Sequence, residues 1–244
     1  MTPLRLEAPA KLNLSLAVVG RRADGYHELL SEMVLLDLAD RLLLMPGSSG
    51  LRVERLAQDA GEVPALAEQN LAWRGLVAAL GGAPDLACLS LEKAIPAGSG
   101  LGGGSSDAAA AWRLGRQWRG LADQADDAML ARLASLGADV PFFAAGVAAA
   151  RVEGIGERVT PLPTPEGGDH VLLVHPPFSL STAAVFAELR PAEWSRDAVP
   201  GRNDLLAPAR RLRPELDAIL RLATAAGVAP QLTGSGPTVF ARSD

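Results

Sequence analysis

Across 244 residues the sequence carries one cysteine (Cys88), one tyrosine (Tyr26) and two lysines (Lys11 and Lys93). A single cysteine excludes an internal disulfide framework and any metal site built from several cysteines. No apolar run reaches the roughly 18–20 residues of a membrane-spanning helix, so no membrane association is expected. The opening Met1-Thr-Pro-Leu-Arg-Leu-Glu7 shows neither a signal-peptide core nor the Arg/Ser-rich character of a transit peptide, and the expected location is the cytoplasm. A basic surplus is missing too. With 23 basic against 28 acidic residues and a net charge of −5, nucleic acid is not an expected partner. Apolar residues at 48% and charged residues at 21% are ordinary globular values, which excludes a disordered or fibrous chain.

What is present reads as an α+β chain. Leu12, Leu14, Leu16 and Val18 alternate with Lys11, Asn13 and Ser15, the period of two of a half-buried strand that puts the three polar residues on one face. The turn signal Asp24-Gly25 follows, and short strands are predicted at Met33–Leu36, Arg41–Met45 and Leu51–Glu54, as in a mainly antiparallel sheet. Asn70 is a suitable N-cap for a helix over Leu71–Leu80, with Gly81-Gly82 behind it. A strand at Leu86–Glu92, helices at Asp107–Trp118 and Asp126–Leu136, and Asp139 capping the turn at Val140-Pro141 come next. Beyond residue 150, strands at Ala148–Glu153, Val171–His175, Gln231–Thr233 and Thr238–Ala241, with helices at Thr182–Leu189 and Pro214–Ala226, complete a second half.

The stretch Pro96-Ala-Gly-Ser-Gly-Leu-Gly-Gly-Gly-Ser-Ser106 is the most informative. It comprises Pro96, Ala97, Gly98, Ser99, Gly100, Leu101, Gly102, Gly103, Gly104, Ser105 and Ser106. Five glycines in seven positions lose much conformational entropy on folding, which packing alone rarely explains. Between a strand and a helix they let backbone N–H groups close around an anion where the helix dipole also favours negative charge. A flexible linker or tight crossover is the plainer reading. Gly98 to Gly103 formally matches the dinucleotide fingerprint G-x-G-x-x-G, but no second strand leads to an acidic residue about 20 positions on. No Lys-Ser/Thr follows the last glycine, so it is not a Walker A loop.

This loop resembles the phosphate loop of the GHMP small-molecule kinases. Ala8-Pro-Ala-Lys-Leu-Asn-Leu14 and Gly234-Ser-Gly-Pro-Thr-Val-Phe240 resemble that family's other two motifs, in the expected order. Three further features, Asp24-Gly-Tyr-His-Glu-Leu29, Leu136-Gly-Ala-Asp-Val-Pro-Phe142 and Thr182 with Phe186, resemble the branch whose acceptor is a cytidine-diphosphate-linked methylerythritol. The similarity covers most of residues 7–241. It implies a nucleotide domain over 1–152 like the second domain of ribosomal protein S5, then a smaller ferredoxin-like domain over 153–244. Members usually continue through a helix and a final strand beyond the third motif, so a shortened C-terminal end with an exposed sheet edge is expected here.

The resemblance implies transfer of the γ-phosphoryl of ATP to an alcohol of the non-mevalonate isoprenoid route. Lys11 and Asp139 fall on the catalytic pair, the aspartate as base and the lysine orienting the hydroxyl; a solvated strand lysine and a helix cap are the plainer readings. Tyr26 and His27 match the cytidine-binding pair, Phe186 the aromatic on the base's other face, and Thr182 and Asn13 polar contacts in the acceptor site. ATP phosphates fall on Pro96–Ser106, with Asn70 and Lys93 near the adenine. Gly234, Ser235 and Gly236 shape a second anion-facing turn. Mg²⁺ is implied between the β- and γ-phosphates, with no protein ligand assigned, and the assembly is a monomer or homodimer. The remaining readings are a homoserine- or mevalonate-type kinase of the same family, a binding protein impaired by its short end, and a dinucleotide-dependent oxidoreductase.

Overall fold

The computed structural model describes residues 2–56, 63–64, 66–163 and 170–242. Its frame is one long hairpin, β1 (Leu4–Arg21) against β2 (His27–Pro46), in register from Leu4↔Leu44 to Arg21↔His27 around the Asp24-Gly25 turn. The two short strands predicted within residues 33–45 are thus parts of a single strand. Asp40 looks like a break in the pattern, yet it sits fully buried within β2 because its Oδ1 accepts from the Ala94 and Ile95 amides, at 2.6 and 2.8 Å.

β3 (Gly50–Arg55) is parallel to β4 (Ala87–Lys93), the crossover between them carrying α1 (Leu71–Leu80). Asn70 caps α1 by accepting from Ala72 N at 2.9 Å, and Gly81 ends it in the left-handed conformation, both as the sequence predicts. α2 (Gly103–Trp118) begins four residues earlier than its predicted start at Asp107, inside the glycine loop. Gly102, at φ 74°, takes the left-handed N-cap position, so loop and helix overlap. The helices α3 (Asp127–Leu133) and α4 (Val140–Ala144) follow; α3 stops short of the predicted Leu136, with Ala134 at its C-cap. β5 (Ala149–Gly154) and β6 (Arg158–Pro161) close a six-stranded sheet. β5 pairs with the first half of β2 and β4 with its second half, on the side away from β1. This sheet runs on to Pro161, past the expected division at residue 152.

α1 and α2 lie on the sheet over Leu42, Leu44, Leu89 and Leu91. They approach each other closely because Gly75 faces Ala108, whose carbonyl oxygen would stand 2.1 Å from an added Cβ. The alanine-rich stretch of α2 is the counterpart of that glycine.

The second half comprises β7 (Val171–Val174), α5 (Thr182–Glu188), α6 (Leu206–Leu212), α7 (Leu216–Ala225), β8 (Gln231–Leu232) and β9 (Val239–Arg242), with an antiparallel sheet in the order β7-β9-β8. α6 was not predicted from the sequence; its Pro208 sits in the first turn, where a missing N–H costs nothing. The two halves share their cores. Leu16 and Val18 of β1 pack with Leu180, Val185, Leu205, Leu232 and Val239, while Ala10 and Leu12 pack with Ile95, Leu101 and Phe240.

Candidate active site

A cleft of about 420 Å³ opens between the halves. β1 supplies its floor with Lys11 and Asn13, the glycine loop one wall, and the start of α4, the start of α5 and residues 234–236 the rest. Register shifts in β1 between Pro9 and Lys11 and between Asn13 and Ser15 interrupt strict alternation, and Lys11 and Asn13 end up almost wholly buried at the cleft floor.

The Lys11 ammonium is held by three acceptors. It donates to Asn13 Oδ1 at 2.5 Å and to Gly100 O at 2.9 Å, and lies 3.4 Å from Asp139 Oδ2. Asn13 is fixed in turn, its Nδ2 donating to Ser31 Oγ at 2.8 Å and its backbone N–H to Thr233 Oγ1 at 3.1 Å. Asp139 stands at the N-cap position of α4, yet its side chain makes no capping hydrogen bond. Its carboxylate faces Lys11 and the cleft with 28% of the side chain exposed. The helix-cap reading therefore gives way to a lysine–carboxylate pair.

Gly98, Gly100 and Gly102 all have positive φ, at 66°, 83° and 74°. Such alternation turns successive backbone N–H groups towards one concavity. It opens onto the N-terminus of α2, whose dipole adds to the attraction for an anion. Pro96, Ala97, Gly98, Ser99, Gly100, Gly102, Gly103, Gly104 and Ser105 all line the cleft. Leu101 points instead into the core, its carbonyl accepting from Lys11 N at 3.0 Å. Ser106 is buried, its hydroxyl without a partner among the described residues.

On the far side, Thr182 Oγ1 and Ser235 Oγ are hydrogen-bonded at 2.8 Å, and Phe186, Gly234, Ser235 and Gly236 complete the lining. Asn203 donates to Leu232 O and Gly234 O, each at 2.9 Å, and so holds this turn. His27 stacks on Phe186 with centroids 5.2 Å apart at 24°. Its pKa lies below the ordinary value because burial disfavours the charged ring and Arg21 repels it.

His27 and Ser106 stand just outside the cleft wall, and four further expected site residues lie elsewhere. Tyr26, 63% exposed at the hairpin tip, is not part of the cleft wall. Leu101 is in the core. Asn70 is spent on capping α1, with its Nδ2 donating to Pro64 O at 3.2 Å. Lys93 is buried beneath the loop, bonded to both Asp40 and Asp107. Sequence reasoning missed those two aspartates, Ser31, Thr233 and Trp194. Asp107, directly after the serines of the loop, and Thr233, directly before the last glycine turn, were marked by position; Asp40 carried no signal.

A lysine–carboxylate pair beside a glycine loop on a helix N-terminus, with a second polar pocket opposite, defines a phosphotransferase that acts on a small molecule. Comparison with known proteins places it. The model of the GHMP kinases N terminal domain matches residues 68–147, and that of the GHMP kinases C terminal domain residues 186–244. The chain belongs to the GHMP kinase family. It is 38% identical to the 4-diphosphocytidyl-2-C-methyl-D-erythritol kinase of Rhodopseudomonas palustris, over 99% of this chain and 89% of that one. Identity to the protein of the same name from Xanthomonas oryzae is 41%, over 96% and 80%. A crystal structure of 4-(cytidine 5'-diphospho)-2C-methyl-D-erythritol kinase superposes with a TM-score of 0.77 at 36% identity, over 99% of this chain and 90% of that one. A homoserine kinase from Cytophaga hutchinsonii, at 20% identity and a TM-score of 0.64, shares the fold.

Proposed function

We propose that the chain transfers the γ-phosphoryl group of ATP to the 2-hydroxyl of 4-diphosphocytidyl-2-C-methyl-D-erythritol, giving the 2-phosphate and ADP. The observation that carries this is the Lys11–Asp139 pair, 3.4 Å apart at the meeting point of the glycine loop and the acceptor pocket. The name shared by near-full-length relatives supports the choice of acceptor. In this reading Asp139 takes the hydroxyl proton as the new O–P bond forms and the bond to the ADP oxygen breaks. Lys11 holds the hydroxyl in line and stabilises the charge spread over the phosphoryl oxygens.

The phosphates sit on Gly98–Ser105 at the head of α2. Magnesium fits this cleft as an ion carried on the nucleotide, since such ions are bound largely by substrate phosphates and water with few protein oxygens. Ser105 and Asp139 both line the cleft, and no cluster of three or more metal-ligating side chains occurs among the described residues. Bound there, the ion neutralises charge on the transferring group. Asn13 and Thr182 contact the acceptor, and Gly234, Ser235 and Gly236 cradle its diphosphate. His27 and Phe186 take the base, with Tyr26 closing over it from the hairpin tip. A neutral imidazole has one donor and one acceptor nitrogen, which suits the edge of cytosine. Asn70 and Lys93 act as supports under the adenine end of the loop. The expected division at 1–152 and 153–244 would cut β5, so the nucleotide half is taken to run through the end of β6 at Pro161 and the acceptor half to begin beyond it.

The test is ADP release with ATP, Mg²⁺ and the cytidine-linked acceptor, beside mevalonate and homoserine. Turnover with the cytidine acceptor alone is expected; turnover with either control instead would overturn the substrate assignment.

A further inference from the structure

His27 has two aromatic neighbours. Besides Phe186, the indole of Trp194 meets its ring edge-on, with centroids 5.9 Å apart at 87°. Trp194 lies on the connection between α5 and α6, and both residues flanking it are tied down. Glu193 accepts from Arg211 at 2.5 and 3.0 Å. Ser195 donates through N–H and hydroxyl to Asp204 Oδ2, at 2.7 and 2.8 Å. The same Asp204 oxygen accepts from Val18 N on β1 at 2.9 Å, so the loop is fixed to the strand that carries Lys11 and Asn13. Trp194 Nε1 is buried and donates to nothing among the described residues. The contact of Trp194 with His27 is therefore made by the ring and not through a hydrogen bond.

In this arrangement the imidazole of His27 covers one face of Phe186, with centroids 5.2 Å apart. A pyrimidine that stacks on that phenyl face while its edge bonds His27 needs Phe186, on the seven-residue α5, to move off the imidazole.

We propose that Trp194 is a positioning residue of the base-recognition end of the cleft. It keeps the His27 ring in place while Phe186 yields, so that the imidazole reads the edge of a pyrimidine nucleoside diphosphate. This rests on the cytidine-linked acceptor proposed above. Trp194→Leu keeps most of the packing volume and removes the aromatic edge; Trp194→Phe restores an edge without the N–H.

Steady-state kinetics on the full chain, with the cytidine acceptor and its uridine counterpart, tests it. Trp194→Leu is expected to raise the acceptor KM about three- to tenfold, the scale of one aromatic pair, and to weaken the preference for cytidine over uridine. The kcat and the KM for ATP should stay within about twofold, and Trp194→Phe should restore the acceptor KM. Because Trp194 acts through His27, the double variant His27→Ala/Trp194→Leu should be no weaker than His27→Ala alone. Additive losses, equal rises in both KM values, or an unchanged acceptor KM would overturn the proposal. Calorimetric titration with cytidine diphosphate separates the two readings. If wild-type protein turns over no cytidine acceptor but binds the diphosphate, and Trp194→Leu weakens that binding, the role of Trp194 stands and the activity falls. Turnover with diphosphate binding indifferent to Trp194→Leu has the opposite meaning.

Discussion

At the scale of single residues, the site depends on where two groups point. Asp139 could have capped α4 and does not, so its carboxylate is free to serve the cleft. Asp139→Asn is therefore expected to leave the melting temperature nearly unchanged while lowering kcat about 10²–10⁴-fold, the usual span for a general base. ADP release and a thermal melt on the same sample check both halves of that expectation, and retained turnover would remove Asp139 from the chemistry. The glycines of the loop divide in the same way. An added Cβ at Gly100 would meet Thr233 O at 2.4 Å, whereas at Gly98 it meets nothing within 4 Å. Gly98→Ala should cost only the roughly 1–2 kcal/mol of a left-handed residue. Gly100→Ala should add displacement of the 233–236 turn and abolish turnover, because Gly100 O also holds Lys11. Equal activity in the two variants would contradict this. The density of glycine was legible in the sequence. Which glycine the fold cannot replace was not, since that depends on a turn more than a hundred residues away.

At the scale of elements, α2 stands on a buried charged triad. Lys93 of β4 bonds to Asp40 of β2 and to Asp107 in the second turn of α2, at 2.7 Å for the latter. An added Cβ on Gly103 would lie 3.3 Å from the ammonium, so the triad sits directly beneath the loop. One ammonium shared by two carboxylates leaves one negative charge in surplus. Asp40 also accepts two backbone amides, whereas Asp107 Oδ1 accepts nothing among the described residues. Burial accordingly pushes the Asp107 carboxyl up to about 7; Lys93 opposes this and Asp40 reinforces it. Burial pulls the Lys93 ammonium down, but the two carboxylates outweigh it and its pKa lies above the usual value. The two shifts agree on one arrangement, a charged lysine with Asp107 as the member that takes up a proton. Unfolded, that carboxyl titrates near 3.8, so between there and about 7 the folded chain holds a proton the unfolded chain lacks. Stability contributed by this group is then lost as pH rises through that window. Melting temperatures should fall from pH 5.5 to 8, and Asp107→Asn should flatten that slope; a slope the variant leaves unchanged would clear Asp107 of the effect. The sequence showed α1 and β4 nearly to the residue, because period and caps are local signals, and of β1 it showed the middle, Lys11–Val18, but neither end. It hid the start of α2, because glycines read as loop, and the continuity of β2, because the pattern lapses between Leu36 and Arg41, where Asp40 finds its partners only in the folded triad.

At the scale of the whole molecule, the change of texture near residue 150 suggested two domains, and the structure joins them along β1. Gly201 N donates to Leu14 O at 3.0 Å, Leu16 N to Arg202 O at 2.9 Å and Asp204 N to Leu16 O at 2.9 Å, so residues 201–204 run beside the strand that floors the cleft. The Asp204 carboxylate takes four donors: Val18 N, Ser195 N, Ser195 Oγ and Arg202 Nε. Nothing local in Gly-Arg-Asn-Asp204 announces this, because its partners are brought in by tertiary packing. Shared cores and this polar seam make one cooperative unit of both halves, and calorimetry should show a single unfolding transition. Asp204→Ala leaves buried donors on β1 and on the Trp194 loop without acceptors, at about 1–3 kcal/mol for each one that water cannot reach. A chain of this length loses roughly 2–4 °C per kcal/mol, so a fall of about 5–15 °C is expected. Because the same carboxylate ties the acceptor pocket to Lys11 and Asn13, surviving Asp204→Ala protein should show a raised acceptor KM and an ATP KM close to wild type. An unchanged melt would mean that the apolar contacts of Leu16 and Val18 join the halves unaided, and that the seam orients the cleft without holding the molecule together.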